Sequence, residues 1–171
     1  MKRPHNSHLE NYLFGEVRGN FQKRGFLTPE EFFCIVIWKA NRAKSKIKAK
    51  LLRRGGGLEQ IVKKLTNEIF KASESRERLK ILLDGWKFNL PMATAILTIL
   101  YPEDFTIYDI RVRGELGIED FAGRKNQIER YFSEFLSRVK EKAKGKNLRD
   151  KDKYLWGKSF YEDLAAFLDS D

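Results

Sequence analysis

Hydrophobic positions along the chain recur at the spacing of three and four residues that is typical of helices, whereas strand-like alternation is hard to find. The clearest case is residues 58–72, where one face carries all the large apolar side chains: Leu58, Ile61, Val62, Leu65, Ile69 and Phe70. Residues 75–86, 92–100, 110–117 and 124–144 show the same spacing. We therefore predict an all-α fold, a compact multi-helix domain of about eight helices with short connections.

Residues 27–52 carry the strongest helix-start signal in the chain. Thr28 is suited to cap the helix, Pro29 to occupy its first position, and Glu31 to complete a capping box. The apolar run that follows, residues 32–38, is too continuous for a helix at the surface. The pattern predicts a buried central helix over this segment.

Two polar segments are expected to be loops. Residues 53–57 read Arg-Arg-Gly-Gly-Gly, and residues 145–153 are charged and predicted to be exposed. Residues 150–170, which overlap the second of these segments, are predicted to close the chain as one or two helices. We assign residues 26–171 to a single helical domain and expect residues 1–25 to pack on its core.

The composition excludes several classes of site. A single cysteine among 171 residues rules out an internal disulfide framework and a cysteine-rich metal site. The two histidines, His5 and His8, both lie in the polar N-terminal segment, so we expect no histidine-based triad and no metal site. With no apolar run long enough for a signal peptide or a membrane helix, we predict a cytoplasmic protein without a membrane partner.

The net charge of +10 predicts a polyanionic partner, with DNA as the leading candidate and RNA left open. Residues 39–54 concentrate this charge and contain no acid. The basic residues of the segment are Lys39, Arg42, Lys44, Lys46, Lys48, Lys50, Arg53 and Arg54. Such a patch binds phosphates without reading sequence. The alternative is a solvated helix end, where positive side chains suit the helix dipole.

Residues 87–112, KFNLPMATAILTILYPEDFTIYDIRV, combine a turn, an apolar helix and a single acid. Residues 89–91 predict a tight turn after a helix that stops near Gly85. The small residues 93–95 leave the first N–H groups of the next helix open to an anion. Asp109 then precedes a short helix, where it either caps that helix or forms the centre of an active site.

This segment resembles the helix–hairpin–helix and aspartate of the HhH-GPD superfamily of base-excision DNA glycosylases, whose pattern reads L-P-G-V-G-x-x-T-A and then V-D-T-H-V. Leu90 aligns with the hydrophobic residue of the hairpin, Thr94 and Ala95 with the T-A pair, and residues 108–112 with the second motif. Upstream, residues 30–45 resemble the family's F-x-x-L-V-x-x-I-L-S-x-Q helix, with Asn41 in place of the glutamine.

The resemblance implies hydrolysis of the N-glycosidic bond of a damaged or modified base, with Asp109 as the catalytic carboxylate. It implies that residues 87–95 hold a phosphate, often with a monovalent cation at the hairpin, and we expect no other cofactor. The residues expected to contact DNA are Lys87, Asn89, Leu90, Met92, Ala93 and Arg111, together with Lys39, Arg42, Lys44 and Lys46. The residues expected at the base pocket are Trp38, Asn41, Trp86 and Tyr108.

The chain also departs from the family pattern. Asn89 and Pro91 replace hairpin glycines, and Pro91 removes an N–H donor. Ala93 stands where bifunctional members carry a Schiff-base lysine, so a monofunctional enzyme without lyase activity is expected. Two alternatives stay open: a non-catalytic nucleic-acid-binding protein that keeps the fold, and a basic module that binds an acidic protein.

Overall fold

In the computed structural model, residues 9–170 are described, and every regular element among them is a helix. The prediction of an all-α fold is confirmed. The helices in chain order are α1 (Leu9–Tyr12, the π-helical Leu13–Val17 and Arg18–Arg24), α2 (Pro29–Ala40), α3 (Lys44–Leu52), α4 (Leu58–Lys71), α5 (Ser75–Lys80, continuing as Ile81–Gly85), α6 (Leu90–Leu100), α7 (Ile110–Glu115), α8 (Gln127–Arg130, Tyr131–Leu136 and Ser137–Lys142) and α9 (Leu148–Leu168). Within residues 9–170, no helix combines the length and the apolar character needed to cross a membrane.

Helix α6 lies at the centre of the molecule, and all of its side chains except that of Pro91 are buried. It packs against α1, α2 and α5, which explains why its sequence is apolar on every side. Phe21 of α1 and Phe32 of α2 are wholly buried against this core. Part of the N-terminal segment therefore belongs to the core, while His5 and His8 lie outside the described residues.

The capping box at the start of α2 is confirmed. The hydroxyl of Thr28 accepts a hydrogen bond from the Glu31 amide at 3.3 Å, and the Glu31 carboxylate accepts one from the Thr28 amide at 2.9 Å. Pro29 occupies the first position of the helix, where its missing N–H costs nothing.

The single central helix predicted over residues 27–52 is wrong, because the chain breaks at Ala40, with φ −158° and ψ 83°. A single 3₁₀ turn, Asn41–Ala43, then leads into α3. The change of direction turns Ile47 and Leu51 of α3 into the core, while Lys48 between them is exposed and Lys50 is partly buried. The apolar α2 and the basic α3 are therefore two helices that run in different directions, and each buries its own apolar residues in the core.

The exposed loop predicted over residues 145–153 is also partly wrong, because α9 begins at Leu148. The side chain of Asn147 caps it by accepting a hydrogen bond from the Asp150 amide at 2.8 Å. Leu148 and Asp152 are buried, so this charged stretch includes an inward-facing side of a helix. The glycine-rich turn predicted at residues 53–57 does lie between α3 and α4.

Candidate functional site

The segment between α6 and α7, residues 101–109, has neither helix nor strand, and core side chains hold its backbone in place. The Tyr131 hydroxyl donates to the Thr106 carbonyl oxygen at 2.6 Å and accepts from the Thr106 amide at 3.0 Å. The Thr94 hydroxyl accepts from the Tyr108 amide at 3.0 Å. Because buried backbone groups are costly when unpaired, these bonds fix the path of the chain just before Asp109.

Tyr108 is a second clamp on this segment. Its hydroxyl donates to Asp120 at 3.0 Å and accepts from the Phe121 amide at 3.1 Å. Its ring packs against Phe121 and Phe135, with ring centroids 4.8 and 5.0 Å away. Burial raises the pKa of the Tyr108 hydroxyl. The structure thus places Tyr108, which the sequence suggested as a base contact, in the core beside the site.

Asp109 is the N-cap of α7, and its carboxylate has two partners. Oδ1 accepts a hydrogen bond from the Arg111 amide at 2.9 Å, and Oδ2 accepts one from the Nζ of Lys39, also at 2.9 Å. Both side chains are mostly buried, with 19% of Asp109 and 18% of Lys39 exposed. The acid is therefore a helix cap and a partly buried ion-pair partner at the same time.

The Asp109 carboxylate opens onto a cavity of about 530 Å³, here called the aromatic pocket. Its walls come from the last turn of α2, the segment before α7, the start of α1 and one face of α9. The residues that line it are Glu10, Trp38, Lys39, Ile107, Asp109, Arg149, Asp152, Lys153 and Trp156. Three acids and three basic residues balance its charge, and two tryptophans supply flat apolar surface. A pocket of this size and lining suits a planar, polar small molecule.

Helix α9 supplies four lining residues that the sequence prediction missed. Arg149, Asp152, Lys153 and Trp156 follow the spacing i, i+3, i+4 and i+7, which places them on one helix face. The sequence predicted helix over residues 150–170 but also a loop over residues 145–153, and none of these side chains was assigned to the site. The Asn147 cap was the clue that a helix begins there.

Arg149 connects the two ends of the described chain within the aromatic pocket. Its Nε donates to Glu10 at 2.9 Å and its Nη1 donates to Asp152. The guanidinium also lies 5.4 Å from the centroid of the Trp38 ring, close enough for a cation–π interaction. Burial raises the pKa of Glu10, but hydrogen bonds from Arg149 and Lys153 outweigh it and hold that pKa below its ordinary value.

Asp152 is the most deeply buried acid of the pocket, with 4% of its surface exposed. Burial raises its pKa to about 6; the nearby Asp109 carboxylate adds to the increase, while Arg149 and Lys39 oppose it. Between the unfolded value of 3.8 and about 6, the folded protein therefore holds a proton that the unfolded chain has lost. Stability falls as pH rises through this window, by about 3 kcal/mol in total.

We expect Asp152→Asn to remove this pH dependence. The variant should match the wild type below pH 3.8, and its free energy of unfolding should exceed the wild-type value by about 3 kcal/mol above pH 6. Arg149 keeps Glu10 as a partner, so no buried cation is orphaned. Denaturant unfolding at a series of pH values measures the difference. The exposed neighbour Asp150→Asn is the control, and parallel curves for Asp152→Asn and wild type would contradict the prediction.

A second cavity, of about 390 Å³, lies on the other side of Lys39 and is here called the lysine groove. Four lysines and no acid line it, together with apolar residues of α2, α3 and the turn before α6. The lining residues are Lys39, Ala40, Ala43, Lys46, Ile47, Lys50, Lys87, Phe88, Asn89, Pro91 and Met92. Burial, followed by Arg54 and Lys46, lowers the pKa of Lys50, which shows how closely the positive charge is packed. Four lysines without an acid give the groove a positive charge.

The turn before α6 differs from the prediction. Helix α6 begins at Leu90 rather than at Met92, because the Asn89 side chain caps it by accepting from the Met92 amide at 3.0 Å. The Ala93 amide donates to the Asn89 carbonyl oxygen at 2.9 Å. These hydrogen bonds occupy the amides of Met92 and Ala93, which the resemblance to the glycosylases assigns to a phosphate. The side chains, more than the helix start, are therefore what the groove offers to an anion.

Helix α3 covers this turn with positive charge. Lys50 donates to the Lys87 carbonyl oxygen, and Arg54 donates to that of Gly85. Lys50 also lies 4.6 Å from the centroid of the Phe88 ring. Cationic side chains thus already lie against carbonyl oxygens of the hairpin region, where the resemblance implies a monovalent cation.

The remaining residues suggested by the sequence lie in several places. Leu90 and Ala93 are wholly buried, and Trp86 is buried with its indole N–H donated to Glu68 at 2.7 Å. Asn41 is exposed and accepts from Lys44 at 2.7 Å. The other three are Arg42 and Lys44, both exposed, and Arg111, which pairs with Asp163 and lies over the Trp156 ring at 5.6 Å. The aromatic pocket thus contains Trp38, Lys39 and Asp109, and the lysine groove contains Lys39, Lys46, Lys87, Asn89 and Met92.

Comparison of the chain with family models, with curated proteins and with solved structures gives no match. The resemblance of residues 87–112 to the HhH-GPD glycosylases therefore stays a prediction from the sequence.

Proposed function

We propose that this protein is a monofunctional N-glycosylase that removes a base from nucleic acid, with the aromatic pocket for the base and the lysine groove for the backbone. The observation that carries the proposal is the position of Lys39 and Asp109. Lys39 lines both cavities and donates to Asp109 at 2.9 Å, so the carboxylate, which lines the aromatic pocket, lies beside the residue that the two cavities share. A sugar connects its base to its phosphate, and a substrate that occupies both cavities places its sugar at this point.

The chemistry follows from the charge that develops at the sugar. As the C1′–N bond breaks, the sugar gains oxocarbenium character, and a carboxylate beside it lowers the energy of that state. Asp109 is the acid that the proposal assigns to this role. It also accepts one proton from the water whose oxygen adds to C1′, and the second proton of that water stays on the new hydroxyl. Asp109 then gives its proton back through solvent to the departing base, which regenerates the carboxylate.

The two tryptophans of the aromatic pocket favour an extruded base as its occupant. Removing a base from the stack costs a few kcal/mol, and stacking between aromatic side chains offsets that cost. Arg149, Asp152 and Glu10 place hydrogen-bond donors and acceptors at the same cavity, where they can read the polar edge of a base.

The test is a panel of duplexes and single strands, each carrying one damaged or modified base, assayed for free base and for the abasic site left behind. Release from at least one substrate supports the proposal. Release from none of them overturns the catalytic proposal and leaves a binding protein as the explanation of the lysine groove.

A non-catalytic nucleic-acid-binding protein is the second candidate, and one observation favours it. The Asp109 carboxylate is already paired with Lys39 and with the start of α7, as a purely structural acid would be. In this case the lysine groove alone binds the nucleic acid, and Asp109 has a structural role. Binding without base release would distinguish this candidate from the first.

Both candidates predict that affinity for nucleic acid depends steeply on salt, because lysines that contact phosphates release counterions. The double variant Lys46→Ala/Lys87→Ala should bind more weakly and reduce the slope of log affinity against log salt by about 2. Fluorescence anisotropy between about 50 and 200 mM salt measures this slope. The matched control is Lys125→Ala/Lys144→Ala, which changes two exposed lysines that line neither cavity. Equal slopes for the two double variants would remove the groove from the binding site.

A further inference from the structure

The C-terminal half of α9 is exposed, although Arg111 of α7 pairs with its Asp163 and lies 6.0 Å from the centroid of its Phe160 ring. All residues from 160 to 170 are exposed, although α9 continues to Leu168. An isolated helical stretch of this length is marginal in water, since most helical stability in proteins comes from packing of an apolar face. This half of the helix therefore lacks the packing that would explain its stability within one copy of the described chain.

The exposed half is also strongly apolar on one side. Tyr161, Phe167 and Leu168 are each at least 70% exposed. The full face, here called the α9 face, comprises Trp156, Phe160, Tyr161, Leu164, Phe167 and Leu168. Its rings are ordered at the pocket end, where Trp156 and Phe160 stack with centroids 5.7 Å apart and planes 6° from parallel. A contiguous aromatic surface of this extent marks an interaction site.

The charge of this region excludes nucleic acid as the occupant. From residue 159 to the last residue, the chain contains four acids, Glu162, Asp163, Asp169 and Asp171, and neither lysine nor arginine. This is the reverse of the balance of the whole chain, which carries a net charge of +10. A polyanion that is attracted to the lysine groove is repelled here.

We propose that the α9 face binds the α9 face of a second copy of this chain, with the two helices antiparallel. In an antiparallel pair centred on Leu164, positions that sum to 328 lie at the same level. Phe160 of each copy therefore meets Leu168 of the other, and Tyr161 meets Phe167; all four are exposed in a single copy. A two-fold interface needs this kind of self-complementary surface.

The available area agrees with a dimer. At roughly 200 Å² for each fully exposed large side chain, the α9 face presents on the order of 700 Å² of apolar surface per copy. A standard interface buries about 800 Å² per partner, and the polar flanks supply the remainder. The dimer is independent of the proposed chemistry, although Trp156 places the interface at the edge of the aromatic pocket.

Sedimentation equilibrium across the micromolar range tests the proposal, with Leu164→Glu compared with Leu52→Glu. The two leucines are matched, because they are 41% and 40% exposed on different helices. We expect a dimer for the wild type and for Leu52→Glu, and a dissociation constant raised on the order of a hundredfold for Leu164→Glu. Near-ultraviolet circular dichroism confirms that each variant is folded. A monomeric wild type at every concentration would overturn the proposal, as would a Leu164→Glu variant that dimerises as strongly as the wild type.

A cross-link then tests the antiparallel arrangement. In a Cys34→Ser background, Leu164→Cys places one thiol near the two-fold axis, and mild oxidation should join two copies covalently. Leu52→Cys in the same background should not cross-link. Efficient dimerisation with no disulfide at position 164 would show that the copies meet through another surface, and the α9 pairing would be wrong.

Discussion

Replacing Asp109 by asparagine is expected to lower the rate of base release on the order of a thousandfold without unfolding the protein. Asparagine is as good an N-cap as aspartate, so its side-chain oxygen can still accept the hydrogen bond from the Arg111 amide. What the substitution removes is the negative charge at the boundary of the two cavities. Single-turnover release of base from the best substrate of the panel measures the loss.

Two further variants separate capping from catalysis. Both substitutions remove the ion pair with Lys39, but Asp109→Ala removes the cap as well, so it should be about 1 kcal/mol less stable than Asp109→Asn and equally inactive. Asp104→Asn changes a surface aspartate that pairs with Arg78 and lines neither cavity, and it should keep wild-type activity. If Asp109→Asn releases base as fast as the wild type, the aspartate is a cap and no more.

Tyr131→Phe is expected to lose about 3 kcal/mol of stability, a large effect for the removal of one oxygen atom. The lost hydroxyl leaves the amide and the carbonyl of Thr106 without their partner in a wholly buried environment, at about 1–3 kcal/mol for each group. The ring itself stays, so its packing against Phe105 and Phe135 is retained. Thermal and denaturant unfolding measure the loss.

Tyr154→Phe is the matched control, because Tyr154 is exposed on α9 and its hydroxyl should contribute less than about 0.5 kcal/mol. We also expect Tyr131→Phe to reduce base release at temperatures where the variant is folded. The Tyr131 hydroxyl fixes the backbone of residues 101–109, and this segment positions Asp109. Wild-type stability in Tyr131→Phe would show that apolar packing alone holds residues 101–109.

The features that the sequence predicted correctly are those decided by local patterns. The Thr28 capping box, the amphipathic face of α4 and the glycine-rich turn after α3 each depend on residues a few positions apart. Where a local pattern fits either one helix or two, the packing of the whole chain decides between them. Residues 27–52 are helical by periodicity, but the burial of Ile47 and Leu51 requires a change of direction at Ala40 that periodicity does not contain.

Only the residues of the candidate site that precede α9 in the chain were predicted from the sequence. Asp109, Lys39 and Trp38 could be found because a motif or a basic cluster pointed to them. The α9 residues could not be placed from polarity alone, because Arg149 and Asp152 satisfy each other inside the protein. Charged residues that are paired and buried look the same in a sequence as charged residues in a loop.

The bond between Arg149 and Glu10 joins residues separated by 139 positions, and the bond between Lys39 and Asp109 spans 70. Contacts of such range form late, because each requires the closure of a long loop before it gives any stabilisation. During synthesis, helices α1 to α8 leave the ribosome before α9, so the nascent chain can bury its α6 core while the aromatic pocket still lacks a wall. The pocket is therefore the last part of the molecule to acquire its shape, and one of its walls is the last helix of the described chain.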